Sequence, residues 1–211
     1  MVIRECSNPD CAFRYPDQES DQDKAYCPKC GSWAMVSEII ELSAGKNILK
    51  TPQTRNLNLV AVLDNIRSIH NVGAIFRTAD GFGVSEVHLC GITPTPQHLR
   101  FSKTSLGAEE VIPWQYHLNA VKTCSELKQK GYRLIGLENP QNADNLYAVS
   151  EDIVKEPLAL VLGNEITGID PQILNICDIV LAIPMQGTKN SFNVATSFGI
   201  AVSYFYALSL K

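Results

Sequence analysis

The sequence predicts an α/β fold with a mostly parallel sheet, helices on both faces and a small cysteine-rich module at the N-terminus. From residue 59 onward, short apolar segments alternate with longer segments of helical periodicity, which favours parallel strands connected by helices. The first forty residues are polar by contrast, and they contain four of the seven cysteines. The predicted division is therefore a module at residues 1–40, a linker at 41–57 and a main domain at 58–211.

The strands and helices of the main domain are predicted from their hydrophobic patterns. Short apolar runs bounded by polar or turn residues indicate buried strands. Apolar residues at helical spacing, such as Val72, Ile75 and Ala79, indicate helices, one of which ends before Gly131. The predicted strands are 59–63, 84–90, 132–137, 157–162 and 179–183, and the predicted helices are 71–82, 117–130 and 191–208.

Composition limits the class of protein without deciding its partner. The chain has 211 residues, of which 45% are hydrophobic, enough for one core and a small appendage. It has no apolar signal-peptide core and no apolar run long enough to span a bilayer, so we expect a cytoplasmic protein without a membrane partner. The net charge of −4 gives no support to a nucleic-acid partner, although a local basic patch is enough to bind phosphate.

Cys6, Cys11, Cys27 and Cys30 have a spacing that is typical of a structural metal site. The last two flank a tight turn that is followed by glycine, and the gap between the two pairs fits a zinc ribbon. A segment this short and polar needs a metal or crosslinks to fold. We therefore predict bound Zn²⁺, with two disulfides or four unrelated cysteines as alternatives. The other three cysteines lie singly among apolar neighbours and are expected to be core residues.

Polar clusters follow three of the predicted strands. They occupy residues 64–80, 162–168 and 183–193. Ligands of open α/β sheets bind where parallel strands end, so a single site could gather all three clusters, with Glu165 paired to a cation such as Arg77. Each cluster also has a simpler interpretation, because Arg77 could be a solvated helix residue and Thr167, Ser191 and Asn193 could cap helices. No Gly-x-Gly-x-x-Gly follows the first strand and no phosphate-binding Gly-Lys-Ser/Thr is present, which disfavours dinucleotide binding and nucleotide hydrolysis.

In this order, the three clusters resemble the sequence motifs of the SpoU (TrmH) family of RNA ribose methyltransferases, in the SPOUT superfamily. The matching residues are Asn65, Asn71, Gly73, Arg77, Thr78, Ala79 and Gly83 in the first motif, Gly163, Asn164, Glu165 and Gly168 in the second, and Ile183, Pro184, Ser191 and Asn193 in the third. The resemblance runs from about residue 57 to the C-terminus and includes segment 103–109. Asn190 stands where glutamate is common and Phe192 where leucine is usual, and the cysteine module lies outside the shared core.

The resemblance implies a C-terminal trefoil knot, a homodimer and S-adenosylmethionine as the cofactor. The residues that it places against the cofactor are Leu162, Gly163, Asn164, Glu165, Ile183, Met185, Ser191, Phe192 and Asn193. The implied reaction is methylation of a ribose 2′-hydroxyl in tRNA or rRNA. The alternatives are a knotted protein that binds RNA without catalysis and a small-molecule enzyme that uses another nucleotide.

The resemblance assigns catalytic roles to Arg77, Asn71, Glu165, Ser191 and Asn193. Arg77 matches the essential arginine of the family. A guanidinium is not deprotonated in proteins. We therefore expect Arg77 to bind the adjacent phosphate and to stabilise the developing alkoxide, oriented by Asn71 and Glu165. Asn71 is expected to come from the same or the partner subunit, and His70 to be a surface or capping residue rather than a base.

The cysteine module and the last helix have expected roles in recognition and assembly. The module could present Arg4, Arg14, Lys24, Lys29 and Trp33 to phosphates and unpaired bases. Its alternative role is a stabilising cap or a dimer contact. The last helix is a candidate dimer face through Phe198, Ile200, Tyr204 and Phe205.

Overall fold

The computed structural model describes residues 1–18, 25–40, 57–140 and 142–211. The chain divides into two compact units, Met1–Thr51 and Pro52–Lys211. The predicted linker at 41–57 lies outside the described residues except for Leu57, so its assignment stays a prediction. No helix among the described residues has both the length and the apolarity that a membrane span requires.

The first unit contains a three-stranded antiparallel sheet. Its strands are β1 (Val2–Cys6), β2 (Arg14–Asp17) and β3 (Ala34–Ile39), in the order β2-β1-β3. Cys6 at the end of β1 is paired with Ala34 at the start of β3. The loop between β1 and β2 carries Cys11, and the turn before β3 carries Cys27 and Cys30. This arrangement brings all four cysteines to one end of the small sheet.

The second unit contains a seven-stranded sheet in which every described strand pair is parallel. Its strands are β4 (Leu59–Asp64), β5 (Glu86–Cys90), β6 (Trp114–His117), β7 (Arg133–Leu137), β8 (Asp144–Asn145), β9 (Leu158–Leu162) and β10 (Ile179–Ala182). Their order in the sheet is β6-β5-β4-β9-β7-β10-β8. The predicted parallel character of the sheet is confirmed. Strand order does not describe how the chain is threaded, so the trefoil knot stays a prediction.

Helices cover both faces of this sheet, as predicted. They are α1 (Ile69–Phe82), α2 (Ser102–Ser105), α3 (Ala120–Gln129), α4 (Pro171–Ile176) and α5 (Val194–Ser209). Every residue of β4 is buried, and successive residues face opposite sides. Leu59, Ala61 and Leu63 pack in the core that includes α1 and α5. Val60 and Val62 pack in the core that includes α3 and α4.

Asparagine caps explain why two helices begin later than predicted. The predicted helix 117–130 corresponds to α3, but β6 extends to His117 and Asn119 is the N-cap. The predicted helix 191–208 corresponds to α5, but Asn193 is its N-cap. An asparagine side chain at this position accepts hydrogen bonds from the first free backbone N–H groups, which fixes where a helix starts. β6 and the six-residue α4 were not predicted, because segments this short give little periodicity.

The predicted dimer face on α5 is wrong for two of its four residues. Phe198 and Phe205 are fully buried in the core of their own chain. Tyr204 packs against that core and its hydroxyl donates to the carbonyl oxygens of Tyr147 and Val149, both at 3.1 Å. The apolar residues of α5 therefore attach this helix to the sheet and to the segment before β9.

Candidate active site

A cleft of about 460 Å³ opens at the carboxyl ends of β7, β9 and β10. Leu137, Leu162 and Leu181, which lie at the ends of these strands, line its base. This edge is where open parallel sheets bind ligands. The cleft is lined by all of the residues that were predicted to contact the cofactor, namely Leu162, Gly163, Asn164, Glu165, Ile183, Met185, Ser191, Phe192 and Asn193. Their contact with a cofactor stays a prediction, but the fold gathers them in one place.

The loop after β9 is a tight turn that is fixed by its own backbone. Asn164 and Gly168 exchange backbone hydrogen bonds of 3.0 and 2.9 Å, and Gly168 has a positive φ of 72°. A Cβ atom on Gly163 would lie 2.1 Å from the backbone nitrogen of Ile169, so a larger residue would not fit there. The side-chain amide of Asn164 donates to the carbonyl oxygen of Asn65 at 2.7 Å. This bond connects the second motif to the first.

Glu165 accepts three hydrogen bonds from the segment that precedes and begins α1. Its carboxylate accepts from the backbone N–H groups of Arg67 at 2.9 Å and Ser68 at 3.2 Å, and from the side-chain amide of Asn71 at 2.8 Å. Partial burial acts to raise the pKa of Glu165, but these donors outweigh it and the pKa is lowered. Glu165 is therefore ionised at neutral pH and holds the first motif in place.

Because the folded pKa of Glu165 is lowered, this carboxylate is expected to stabilise the fold above its ordinary pKa of 4.5. Its contribution should be lost as the pH falls through the lower, folded value. Thermal unfolding measured across this acidic range should show a steeper loss of stability for the natural chain than for a Glu165→Gln variant. Parallel pH curves for the two proteins would contradict this expectation.

Asn71 and Asn193 connect the first motif to the third. The side-chain amide of Asn193 donates to the side-chain oxygen of Asn71 at 3.0 Å, while Asn71 donates to Glu165. The side-chain oxygen of Asn193 accepts from the backbone of Ala195 at 2.9 Å and of Thr196 at 3.4 Å, which caps α5. The side-chain oxygen of Asn193 thus caps α5, while its side-chain nitrogen donates to Asn71 of the site.

Ser191 and Thr167, which could also have capped helices, do not do so. Ser191 is exposed and makes no side-chain hydrogen bond to another described residue, so it does not cap α5. Its hydroxyl group is available at the cleft, next to the half-exposed ring of Phe192. Thr167 does not cap α4, whose N-cap is Asp170.

Arg77 is not brought to the cleft of its own chain. It is exposed on α1, and among the described residues it makes no side-chain hydrogen bond or ion pair, so the expected pair with Glu165 is not formed. Arg77 follows Asn71 by six residues, which corresponds to about 9 Å along a helix and a rotation of about 240° around it. Asn71 is hydrogen-bonded to two residues of the cleft lining, Glu165 and Asn193, and Arg77 therefore lies on a different side of α1. His70 is exposed, as expected for a surface residue.

Glu138 and Asn139 line the cleft and were missed from the sequence. The carboxylate of Glu138 accepts from the backbone N–H groups of Ile169 and Asn139, both at 3.1 Å. The side-chain amide of Asn139 donates to the carbonyl oxygen of Asn190 at 2.8 Å. The pair thus contacts both the second and the third loops. Their position directly after the predicted strand 132–137 was the available signal, since strand ends carry ligand sites.

The four N-terminal cysteines have the geometry of a metal site. Their sulfur atoms all lie within 4.8 Å of one another, with Cys6 and Cys30 at 3.4 Å and Cys11 and Cys27 at 3.8 Å. Zinc bound tetrahedrally at about 2.3 Å from each sulfur requires sulfur–sulfur distances of about 3.8 Å. A disulfide would bring two sulfur atoms to about 2.05 Å. Hydrogen bonds from Ser32 lower the pKa of Cys30 to about 6, whereas burial raises the pKa of Cys6 to about 12 and also raises that of Cys11. The sulfur distances, rather than the thiol pKa values, therefore indicate the metal site.

The module offers fewer RNA contacts than predicted. Arg4 is 1% exposed and is paired with Asp17 at 2.7 Å, so it does not reach solvent. Arg14 is paired with Glu5 of β1 and with Glu38 of β3. Lys24 lies outside the described residues. Lys29 and Trp33 are exposed, so their contact with RNA stays a prediction.

Comparison with known proteins agrees with this geometry. The SpoU rRNA Methylase family model matches residues 58–203. A Staphylococcus haemolyticus protein, named as a provisional TrmH family tRNA/rRNA methyltransferase, is 30% identical over 86% of this chain and 72% of its own length. The 23S rRNA (guanosine-2'-O-)-methyltransferase RlmB of Neisseria meningitidis is 35% identical over 69% of this chain and 56% of its own length.

A solved structure shows the same likeness in three dimensions. The A. aeolicus TrmH/SpoU tRNA modifying enzyme superposes with a TM-score of 0.65 at 27% identity, covering 73% of this chain and 76% of that protein. This chain spans little more than half the length of its RlmB relative. The matched segment nevertheless contains all three motifs, the seven-stranded sheet and the cleft. By its sequence and its fold, the chain belongs to the SpoU rRNA methylase family.

Proposed function

We propose that this chain is an S-adenosylmethionine-dependent methyltransferase that modifies a ribose 2′-hydroxyl in tRNA or rRNA. One observation carries the proposal: Glu165, Asn71 and Asn193, one residue from each motif, are hydrogen-bonded in series at the rim of the cleft. The relatives from Staphylococcus and Neisseria are named as RNA methyltransferases, and the name of the latter specifies guanosine 2'-O. An RNA substrate of this kind agrees with the expected cytoplasmic location.

The chemistry of the cleft suits this cofactor. Leucine and isoleucine side chains line one part of it, and the carboxylates of Glu138 and Glu165 are the ionisable groups of the described lining. Acidic side chains without a neighbouring cation suit a ligand that carries a sulfonium and an ammonium group. When bound, the cofactor supplies a methyl group on a positively charged sulfur atom. The chain has to align the ribose hydroxyl and to stabilise its deprotonated form.

We infer that a second copy of the chain completes the site. Asn71 is bonded to Glu165 and Asn193 of its own chain, which supports a role for Asn71 within one subunit. Arg77 faces away from that cleft, and a homodimer would allow it to reach the cleft of the other subunit. There its guanidinium would bind the phosphate beside the target ribose and stabilise the alkoxide. The free hydroxyl of Ser191 would hydrogen-bond the cofactor or the ribose.

The surface formed by α1 and α2 is proposed to bind the RNA backbone. α2 is anchored to α1 by the buried ring of Phe101, which meets Phe76 edge-on with ring centres 5.2 Å apart. The two helices approach so closely that a Cβ atom on Gly73 would lie 2.1 Å from the hydroxyl of Thr104. This packing is accompanied by three exposed basic side chains, namely Arg77 on α1, Lys103 on α2 and Arg100 in the turn before α2. Phosphates would bind there, because these cations have no ion pair with a described carboxylate.

Substitution of both Arg100 and Lys103 by glutamate is expected to weaken RNA binding at least tenfold at low salt. Each phosphate contact contributes roughly 0.7–0.9 to the dependence of log affinity on log salt concentration, so the slope should become shallower. Fluorescence anisotropy with labelled RNA at several salt concentrations measures both quantities. Lys130→Glu is the matched control, because Lys130 is exposed at the C-terminal end of α3. An equal loss in the control would contradict a specific surface.

Calorimetric titration with S-adenosylmethionine, followed by transfer of labelled methyl groups, tests the proposed function. We expect binding with one site per chain and incorporation of label into total tRNA or ribosomal RNA at a ribose 2′-oxygen. Failure to bind the cofactor would exclude the enzyme. Cofactor binding and RNA binding without transfer would instead favour the inactive RNA-binding protein.

We also propose that Cys6, Cys11, Cys27 and Cys30 bind one structural Zn²⁺. The sulfur distances support this assignment. The metal would hold the turns that present Lys29 and Trp33. These two residues would then contact phosphate and an unpaired base of the RNA.

A further inference from the structure

Glu138 differs from the other carboxylate of the cleft in what it contacts. Glu165 accepts three hydrogen bonds from the 67–71 segment at the rim. Glu138 lies at the end of β7, between the second and third loops, and accepts two backbone hydrogen bonds. Each of its oxygen atoms therefore keeps a lone pair for a ligand. Of the two carboxylates in the described lining, Glu138 therefore has more capacity to accept hydrogen bonds from a ligand.

The position of the Glu138 carboxylate is fixed by its surroundings. One oxygen accepts from Ile169 and the other from Asn139, so both ends of the carboxylate are held. A Cβ atom on Gly168 would lie 2.4 Å from the first of these oxygens, which means that the loop passes directly against it. A negative charge that is fixed before the ligand arrives needs no reorganisation to act on it.

From this geometry we propose that Glu138 is a specificity-determining residue that makes the cleft favour the methylated cofactor over the demethylated product. This inference rests on the proposed function, because it concerns the same cofactor. S-adenosylmethionine and S-adenosylhomocysteine share the adenosine, the ammonium and the carboxylate. They differ in a methyl group and in the positive charge on sulfur. A fixed carboxylate in a partly enclosed cleft stabilises the charged sulfonium and gives no such stabilisation to the neutral thioether.

The consequence would be release of the product after each transfer. In the transfer, the methyl group forms a bond to the ribose oxygen, the electrons of the broken carbon–sulfur bond stay on sulfur, and the hydroxyl proton passes to water. The sulfur is then neutral, so its attraction to Glu138 would be lost in the same step. The product would then dissociate faster than the substrate cofactor. No movement of the loops is needed for this difference.

Calorimetric affinities for both compounds test the inference. For Glu138→Gln we expect S-adenosylmethionine to bind about fivefold to tenfold more weakly, while the affinity for S-adenosylhomocysteine changes less than twofold. Glu138→Asp keeps the charge and shortens the side chain, so it should retain the preference between the two compounds. An equal loss for both compounds in Glu138→Gln, or no loss for either, would overturn the inference.

Asn139→Ala is the matched control for loop position. It removes the hydrogen bond to Asn190 without changing the charge, and both compounds should then weaken by the same factor. Thermal unfolding of each variant verifies that it is folded. If the natural chain binds neither compound, the proposed function fails. If it binds both and Glu138→Gln leaves their affinity ratio unchanged, only the role of Glu138 fails.

Discussion

Replacement of Arg77 by alanine is expected to lower kcat for RNA methylation by about 10²–10³-fold, the usual effect of removing a group that stabilises transition-state charge. Affinity for S-adenosylmethionine should change little, because Arg77 is proposed to contact the RNA phosphate and the ribose oxygen rather than the cofactor. The thermal midpoint should also be unchanged, since the side chain is exposed and makes no described hydrogen bond. Single-turnover kinetics with saturating RNA separate the chemical step from RNA binding.

Arg77→Lys distinguishes the shape of the side chain from its charge. Lysine keeps the positive charge but loses the planar pair of donors that binds a phosphate or an alkoxide. We expect this variant to recover RNA affinity but only a small part of the rate. Near-normal turnover would refute the proposed bidentate contact.

Mixed dimers test whether Arg77 acts across the subunit interface. A heterodimer of Arg77→Ala and Asn71→Ala chains has one complete site if Arg77 serves the partner's cleft. It has none if both residues serve the same chain. Activity should therefore appear when the two inactive proteins are mixed and allowed to exchange subunits.

Removal of zinc is expected to unfold the N-terminal module. Binding of structural zinc typically contributes about 10–16 kcal/mol to modules of this kind, more than a small polar sheet can supply itself. The proposed metal would hold the end of β1 and the turn before β3 together through Cys6 and Cys27, both of which are buried. Strong chelation, or Cys27→Ser, should abolish the near-ultraviolet circular dichroism of Tyr26 and Trp33, whose rings are in contact with their centres 4.8 Å apart.

Cys124→Ser is the control for this experiment, because Cys124 is buried in the main sheet core and belongs to no described metal cluster. It should keep one zinc per chain by atomic absorption. The seven-stranded unit should keep its parallel sheet in all variants. A purified chain without stoichiometric zinc, or one whose module signal survives chelation, would refute the assignment.

The strands of the main sheet were predictable where sequence pattern and burial coincide. The predicted strand 157–162 is β9, each of whose residues is buried, because a central parallel strand has to be apolar on both faces. β6 escaped prediction because an edge strand with exposed Gln115 and Tyr116 carries no continuous apolar run. The starts of α3 and α5 were missed because capping side chains, rather than periodicity, determine them.

The site was predictable as far as its motifs and no further. The motif residues named from the resemblance line one cleft, but the neighbours of β7 in the sheet could not be deduced from chain order. Glu138 and Asn139 directly follow this strand, but they were missed because chain order does not connect the strand to the motif loops. The expected pair of Glu165 and Arg77 is not formed within one chain for a different reason. The resemblance implied that Asn71 and Glu165 orient Arg77, but the helical rotation between Asn71 and Arg77 directs the two side chains to different surfaces of α1.

The two amide bonds of the central network have a consequence for how the site comes into existence during folding. Glu165 and Asn71 are separated by 94 residues, and Asn71 and Asn193 by 122. Contacts that join such distant parts of a chain close large loops and form late and slowly. β4 and α1 alone would therefore have no site, even when they are folded. The network is complete only when the loop after β9 and the start of α5 have both docked beside Asn71.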